Sequence, residues 1–278
     1  GPVWSPGYWA SRLRLAEAEG LMRVIPAESV PFILTVWLGE RRLMDNAAYW
    51  SYVQSGTAHI LSVSGVHTVI VYLSIAYVMR LVFPNYRYRH LRGVLALAAV
   101  LVFVLMAGAR VSSFRSAAMI GIFVLAQFHD RDPDAPTALG LAAMLFALID
   151  PDVIFDAGFI LSFLSIASML IYLKPIAEYM EWAPRPLRDG LAASISVQIL
   201  STPAAAAIFY TVPVLGPLAN LLVVPLLTLG LWLMLIASVL VFVYEPAAMI
   251  FGHALYPIVF LIERAAAIGA GVQGAYIE

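Results

Sequence analysis

The 278-residue sequence contains no cysteine and a single lysine, Lys174. Without cysteine the chain forms no disulfide and offers a metal ion no thiolate ligand. The lysine lies in the stretch IYLKP, whereas a Walker A loop places lysine between glycine and serine or threonine. Charged side chains are also scarce, at 12% of residues, where soluble domains have about a quarter. These shortages exclude a disulfide scaffold and a P-loop ATPase.

What the chain has in excess is apolar surface, with 62% hydrophobic residues and a mean hydropathy of +0.90. A chain of this length has no interior large enough to hide that surface from water, so part of it must face lipid. We therefore predict an all-α, polytopic membrane protein with about eight transmembrane helices, some of them short or broken. The predicted spans are 58–83, 93–109, 111–128, 136–149, 157–174, 190–210, 217–243 and 247–270.

The first 57 residues have a different pattern, which predicts short helices on the outer face of the membrane before the transmembrane domain at 58–278. Apolar residues recur at helical spacing from Pro6 to Val24, with charged residues between them, as in an amphipathic helix at the bilayer surface. The stretch PFILTVWLG is too short to span, and MDNAAYWSYVQSG predicts one more short helix. Gly1-Pro2 resembles the residue pair that a tag-removing protease leaves, so we expect the natural chain to be longer.

The distribution of basic residues predicts the orientation of the spans. Two loops, between the first and second and between the fifth and sixth spans, are rich in arginine and lysine, whereas the loops DPDVIFD and TVPVLGP contain neither. Loops rich in arginine and lysine remain in the cytoplasm. Both termini should then lie outside the cytoplasmic membrane. The basic loop residues are Arg80, Arg87, Arg89, Arg92, Lys174, Arg185 and Arg188.

Polar groups inside predicted spans are the candidates for function, because such groups are costly in lipid unless they face protein or water. His59 and His67 are eight residues apart, which on one continuous helix places them within about 80° of each other, with Ser64 nearby. This shared face indicates either a polar path or two histidines that bind neighbouring helices. A zinc pair is disfavoured, because helical zinc ligands are usually four residues apart.

Arg115, near the start of the third span, requires a partner for its charge. A buried pair with an aspartate that holds two helices together is one interpretation, and an arginine that faces a pore and contacts phosphate is the other. The candidate partners, predicted at the same end of the bundle, are Asp150, Asp152 and Asp156.

Pro203 and Pro225 interrupt the sixth and seventh spans, where Gln198 and Asn220 also lie. Proline removes one backbone hydrogen bond and bends a helix. Freed backbone groups are tolerated in a membrane where they face water or protein. The two prolines therefore indicate either half-broken helices around a cavity or simple kinks.

Several sequence blocks resemble the ComEC-type competence family, whose members move single-stranded DNA through the inner membrane. GTAHILSVSGVH is similar to that family's H-L-x-x-I-S-G-x-H signature, and VWLGERRLMDNAAYWSYVQSGTAH to the approach that precedes it. GARVSSFRSAAM resembles the family's arginine motif, in which Arg115 is the matching residue. DPDVIFDAGFILSF and VPVLGPLANLLVVPL resemble two later blocks, although Ile160 replaces the usual glutamine. The similarity covers roughly residues 30–245, in order.

The resemblance implies that this chain is the channel module for DNA uptake in natural transformation. The family's extracytoplasmic oligonucleotide-binding domain and nuclease domain have no counterpart here, so we expect no enzymatic activity and no metal or cofactor. The implied partners are single-stranded DNA, the lipid bilayer, an extracytoplasmic DNA receptor or nuclease, and a cytoplasmic ATPase; a monomer is one option for its oligomeric state. The residues predicted to line the DNA path are His59, Ser64, Gly65, His67, Arg110, Arg115, Asp156, Ser162, Gln198 and Asn220.

Two other functions are compatible with the same residues. A transporter of a small anion or a lipid would also place polar groups at bilayer depth. An intramembrane hydrolase would use Ser64 with His59 or His67, and Ser64 and His67 are three residues apart, close enough to touch on a helix. The first alternative predicts a closed pocket, and the second predicts a serine that reacts with covalent probes.

Overall fold

The structure is a computed structural model that describes residues 6–109, 111–128, 134–209, 212–213, 215–272 and 276–277. This part of the chain is almost entirely helical. A two-residue antiparallel pair joins Val212–Pro213 (β1) to Tyr276–Ile277 (β2). The α-helices are α1 (Pro6–Val24), α2 (Val30–Leu38), α3 (Asn46–Gln54), α4 (Gly65–Val82), α5 (Arg89–Met106), α6 (Val111–Phe128), α7 (Ala135–Ile149), α8 (Ala157–Tyr179), α9 (Arg185–Phe209), α10 (Gly216–Leu240) and α11 (Glu245–Gly271).

Among the described residues, six helices are long and apolar enough to cross a membrane: α4, α5, α8, α9, α10 and α11. The chain is therefore a multi-pass membrane protein. The two other predicted spans are shorter helices. In α6 the apolar stretch is Ser112–Phe128, one residue shorter than α4. The 15 residues of α7 measure about 22 Å, against about 30 Å for the hydrocarbon core. The predicted eight spans thus divide into six full-length helices and two short ones.

The first span begins at Gly65 rather than at residue 58, so the prediction that His59 and His67 share one helix is wrong. Residues 58–61 form a separate 3₁₀ turn, and Ser64 is extended, with φ −109° and ψ 178°. Ser64 and His67 form a capping box, which satisfies backbone donors at the start of a helix and so fixes where α4 begins. Apolar composition predicted the span, but the cap sets its first residue.

The helices that contain Pro203 and Pro225 are continuous, which rules out half-broken segments, one of the two interpretations of these prolines. α9 and α10 extend through their prolines for 25 residues each. A proline removes only one hydrogen bond, and long membrane helices tolerate it because the remaining backbone bonds stay intact.

α10 and α11 lie at the centre of the fold, and α8 and α9 lie at its edge. One third of the residues in the α10 and α11 spans are buried, against 11% in α8 and α9. The predicted short helices α1, α2 and α3 are confirmed as helices. α2 contributes the fully buried Phe32, Trp37 and Leu38 to the same core as α4, α10 and α11. Gly252 lets α11 approach the end of α1, where an added Cβ would lie 2.2 Å from the Val24 carbonyl oxygen.

Candidate functional site

The candidate site is arranged around the connecting segment, residues 55–64, which joins α3 to α4. The segment begins with a sharp turn at Gly56, whose φ of +76° favours glycine. The hydroxyls of the buried Ser55 and Thr57 lie 2.8 Å apart and fix this turn. The segment is not α-helical, so its buried backbone groups must bond to other elements.

α6 supplies two of those bonds. The hydroxyls of Ser112 and Ser113 both donate to the Val63 carbonyl oxygen, each at 3.0 Å. The oxygen thus receives two donors, and the first turn of α6 is attached to the chain just before α4. One turn later, a Cβ added to Gly65 would lie 2.9 Å from the Ser116 hydroxyl oxygen. Glycine at this position therefore allows the N-terminal turns of α4 and α6 to touch.

Ser64 and His67 are in contact, but their contact caps a helix. The Nδ1 atom of His67 lies 3.1 Å from both the backbone nitrogen and the hydroxyl oxygen of Ser64. Because Nδ1 accepts the Ser64 N–H, the neutral ring carries its proton on Nε2. Nε2 is near the Val36 backbone and makes no regular hydrogen bond among the described residues. No carboxylate from the described part of the chain orients this histidine, so the pair lacks the third group of a catalytic triad there.

Arg115 lies at the contact between α4, α6 and α8. It is 5% exposed, and its Nη1 donates to the Ser162 carbonyl oxygen. The guanidinium carbon is 5.6 Å from the centroid of the Phe163 ring. The Nε atom has no hydrogen-bond partner within the described residues. Ser162 thus contributes its backbone to the site, and the arginine keeps unused donors.

The predicted pair between Arg115 and an aspartate is not formed in the described part of the chain. Asp156 caps α8 instead, its Oδ1 accepting the Phe159 N–H at 2.9 Å. Asp150 accepts the Asp152 N–H at 3.1 Å in the same way. A carboxylate at a helix N-terminus is stabilised by the helix dipole and the free N–H groups. These carboxylates therefore bind backbone N–H groups close to them in the sequence rather than Arg115 on α6.

Gln198 and Asn220 lie around the start of α10. A Cβ added to Gly216 would be 2.8 Å from Nε2 of Gln198 and 3.8 Å from the Cα of Gly56. α9, α10 and the connecting segment therefore meet at this point. Asn220 donates from Nδ2 to the Ser194 hydroxyl at 3.2 Å, and its Oδ1 has no partner among the described residues.

His59 lies in the connecting segment, and its surroundings differ from those of the fully buried His67. His59 keeps exposed surface, yet desolvation by the surrounding protein lowers its pKa, and a backbone hydrogen bond with Gly56 opposes the shift. The imidazole is therefore exposed next to the turn at Gly56. Within the described residues, no three histidine, aspartate or glutamate side chains come close enough to hold a metal ion.

Most of the predicted residues lie near helix N-termini, although Gln198 lies in the second half of α9 and His59 in a 3₁₀ turn. Gly65, Arg115 and Ser162 belong to the first two turns of α4, α6 and α8, which touch one another, and Asn220 belongs to the first turns of α10. Arg110 is outside the described residues. Helix N-termini carry partial positive charge and unpaired N–H groups. The arrangement is therefore suited to an anionic group.

Sequence reasoning missed a buried carboxylate on α1. Glu17 is 2% exposed; its Oε1 accepts the Trp37 indole N–H at 2.6 Å and also the Ser238 hydroxyl. Burial raises the pKa of Glu17, and the hydrogen bonds from Ser238 and Trp37 partly offset the shift. The available signal was spacing, because Arg14, Glu17 and Leu21 recur on one face of α1. Arg14 on that face pairs with Glu40 at 3.1 Å.

Comparisons with known proteins agree with this description. The family model described as "Competence protein" matches residues 36–278. The chain is 26% identical over 206 residues to ComE operon protein 3 of Bacillus subtilis (strain 168), covering 74% of this chain and 26% of that protein. It is 28% identical over 235 residues to Competence protein ComA of Neisseria gonorrhoeae, covering 81% of this chain and 32% of that protein. The chain thus spans about a third or less of these relatives, and no solved structure matches it.

Proposed function

Because this chain belongs to the competence protein family, we propose that it forms the channel through which single-stranded DNA crosses the cytoplasmic membrane inward. Competence proteins of this family take part in DNA uptake during transformation, and a strand with one charge per nucleotide cannot dissolve in hydrocarbon. It needs a polar route with some positive potential. The channel role assigns that route to this chain and leaves catalysis to other domains or proteins.

The observation that carries the proposal is the meeting of helix N-termini at the connecting segment. α4, α6 and α8 touch through Gly65, Ser116, Arg115 and the Ser162 carbonyl, and α10 begins beside Gly56. The α8 N-terminus already holds the Asp156 carboxylate, whereas the N-termini of α4 and α10 can each stabilise nearby negative charge by about 0.3–1 kcal/mol. Together they favour phosphate groups without requiring many buried cations. A strand held by weak, repeated attractions can slide.

The proposed orientation places these N-termini at the outer side. The arginine-rich stretch at residues 80–93 then lies in the cytoplasm, with exposed Arg87 and Tyr86. α6 and α7 return the chain to the same side whether both cross or neither does, so the short helices do not alter this orientation. We propose that an extracytoplasmic receptor or nuclease delivers the strand to the N-termini and that a cytoplasmic ATPase pulls it.

A flux assay with purified protein tests the proposal. The chain is reconstituted into vesicles, and a fluorescent single-stranded oligonucleotide is added outside. A membrane potential that is positive inside the vesicles drives the anionic strand inward. We expect dye-labelled single strands to enter vesicles that contain protein and a duplex of equal length to stay outside. Entry of sulfate or phosphate without any entry of single strands would contradict the channel role and support a small-anion transporter.

Two histidine variants refine the same assay. His59 is exposed in the connecting segment beside Gly56, whereas His253 is exposed on α11 and bonds to its own helix through the Met249 carbonyl at 2.8 Å. We expect His59→Ala to change strand flux and His253→Ala to leave it unchanged. Equal flux in both variants would remove His59 from the proposed path.

A further inference from the structure

Arg115 is a buried cation with unused hydrogen-bonding capacity. A guanidinium has five N–H donors, and only Nη1 forms a hydrogen bond within the described residues, to the Ser162 carbonyl oxygen. No carboxylate lies within ion-pair distance of Arg115 in the described part of the chain. A buried charge normally retains a partner of opposite sign, because removing it from water is costly. The unused donors therefore indicate an anionic ligand that this structure does not contain.

The unused side of the guanidinium faces the start of α4. Nη2 lies 3.9 Å from the position that a Cβ on Gly65 would occupy. Nε and Nη2 form one edge of the planar guanidinium, and two parallel N–H groups on such an edge match two oxygens of a phosphate. Nε is fully buried and unpartnered. The free edge is thus directed toward a helix N-terminus.

The first turn of α4 offers donors at the same place. The first N–H groups of a helix have no partner inside the helix, and here the capping box uses the Ser64 hydroxyl for the His67 N–H. The N–H groups of Gly65 and Val66 remain for a ligand. Gly65 is half-buried and Val66 is 44% exposed, so the turn is open to the surface. A helix N-terminus and a guanidinium both favour an anion, and they repel any cation.

Glycine at position 65 puts no side chain beside Nη2 of Arg115. A methyl group there would lie 2.9 Å from the Ser116 hydroxyl oxygen and 3.9 Å from Nη2. The Phe163 ring, 5.6 Å from the guanidinium carbon, limits movement of the arginine on its other side.

We propose that Arg115 and the N–H groups of Gly65 and Val66 form a phosphate site that holds one backbone phosphate of the translocating strand at a time. This inference rests on the proposed function and deepens it, because it names the part of the strand that this site recognises. The sugar and the base lie outside the site, so every nucleotide is accepted. A single contact positions the strand and releases it at the next step.

The salt dependence of oligonucleotide binding tests the phosphate site. Binding of a labelled thymidine oligonucleotide is measured in maltoside micelles, which contain no phosphate, between 50 and 200 mM NaCl. Each phosphate contact contributes about 0.7 to the slope of log K against log salt for single strands. We expect Arg115→Gln to reduce that slope by about 0.7 and to weaken binding on the order of tenfold at the lowest salt. Arg264→Gln, which removes an exposed cation 5.2 Å from the Phe260 ring, is the control and should leave the slope unchanged.

A second variant fills the site without removing the charge. Gly65→Ala combined with Ser116→Ala places a methyl group beside Nη2 and removes the oxygen that it would strike. We expect the slope of log K against log salt to fall in this double variant by the same amount as in Arg115→Gln. Ser116→Ala alone should keep the wild-type slope. Thermal melting confirms that each variant is folded. An unchanged slope in both Arg115→Gln and the double variant would overturn the phosphate site.

Further measurements separate this inference from the channel role. If single strands cross vesicles but Arg115→Gln retains the full salt slope, the phosphate site is wrong and the channel stands. If no strand binds or crosses, the melting temperature of the wild type is measured with added inorganic phosphate. A rise in melting temperature that is lost in Arg115→Gln supports an anion site, and no rise in the wild type overturns the anion site. Added phosphatidylglycerol distinguishes the source of the phosphate. If this lipid stabilises the protein through Arg115 and the oligonucleotide does not, the site binds a lipid headgroup, and the proposal that it binds the DNA strand is overturned.

Discussion

Replacing Arg115 by methionine should make the ligand-free protein more stable. The substitution loses a charge-assisted hydrogen bond to the Ser162 carbonyl, worth about 1.5–3 kcal/mol. It also loses the contact with the Phe163 ring, worth about 0.5–2 kcal/mol. Against these, it removes a desolvation penalty of several kcal/mol for a buried, unpaired ion. The Ser162 carbonyl keeps its bond inside α8, so no new group is left unsatisfied.

The net result is a stabilisation of about 1–3 kcal/mol, because a flexible apolar side chain replaces a buried charge. At about 2–4 °C per kcal/mol, the melting temperature should rise by several degrees. Tryptophan fluorescence during heating measures it in maltoside micelles and in a buffer free of phosphate and sulfate. Arg264→Met, which changes an exposed arginine, should shift the transition by less than about 0.5 kcal/mol.

Phosphate should reverse the order of the two proteins. An anion that binds only the folded wild type stabilises it by RT ln(1 + [L]/Kd), and the methionine variant cannot gain from it. A methionine variant that melts lower than the wild type in phosphate-free buffer would refute the reasoning, since Arg115 would then have a protein partner strong enough to outweigh its desolvation.

Three further outcomes follow from other contacts. Gly252→Ala should destabilise the protein by about 1–3 kcal/mol, since its Cβ would strike a carbonyl at the end of α1; Gly271→Ala, with open space around it, is the control, and equal melting temperatures would contradict the packing. Burial raises the pKa of Glu17, so the folded state binds this proton more tightly, and stability falls as pH rises through the folded-state pKa. Glu17→Gln, which stays neutral, should therefore melt higher than the wild type at pH 8 and nearly equally at pH 5; a constant difference would exclude the linkage. Ser112→Ala and Ser113→Ala should each be mild, because the other hydroxyl still donates to the same carbonyl, whereas the double variant should lose more than the sum by about 1 kcal/mol; additive melting shifts would show that the two bonds are independent.

The helices were predictable because each depends on local sequence. A long apolar run in lipid must satisfy its own backbone hydrogen bonds, and a helix does so within the run. The predicted spans at 190–210 and 247–270 accordingly correspond to α9 and α11. Prolines within such runs left two interpretations open, and the helices are continuous, since the cost of one lost bond does not break a helix whose other bonds have no alternative partner.

The start of α4 was predicted wrongly although a local signal existed. Ser64 precedes His67 by three residues, the spacing of an N-cap and the third residue of a helix. The hydropathy of the flanking residues suggested one span from residue 58, and this concealed the cap. The error mattered for function, because it placed His59 and His67 on one helix when they lie in different elements.

The sequence by itself determined that this protein lies in a membrane, where its apolar helices run, and which polar residues are too costly to face lipid. Only the tertiary structure decided what those polar residues contact. Arg115 contacts a carbonyl of α8 rather than an aspartate, and Glu17 contacts Trp37 and Ser238 on distant helices. The physical reason is range: a helix closes its hydrogen bonds within four residues, whereas the partner of a buried charge depends on which helices pack together. The N-termini of α4, α6 and α8 meet through that packing, and the proposed phosphate site exists only where they meet.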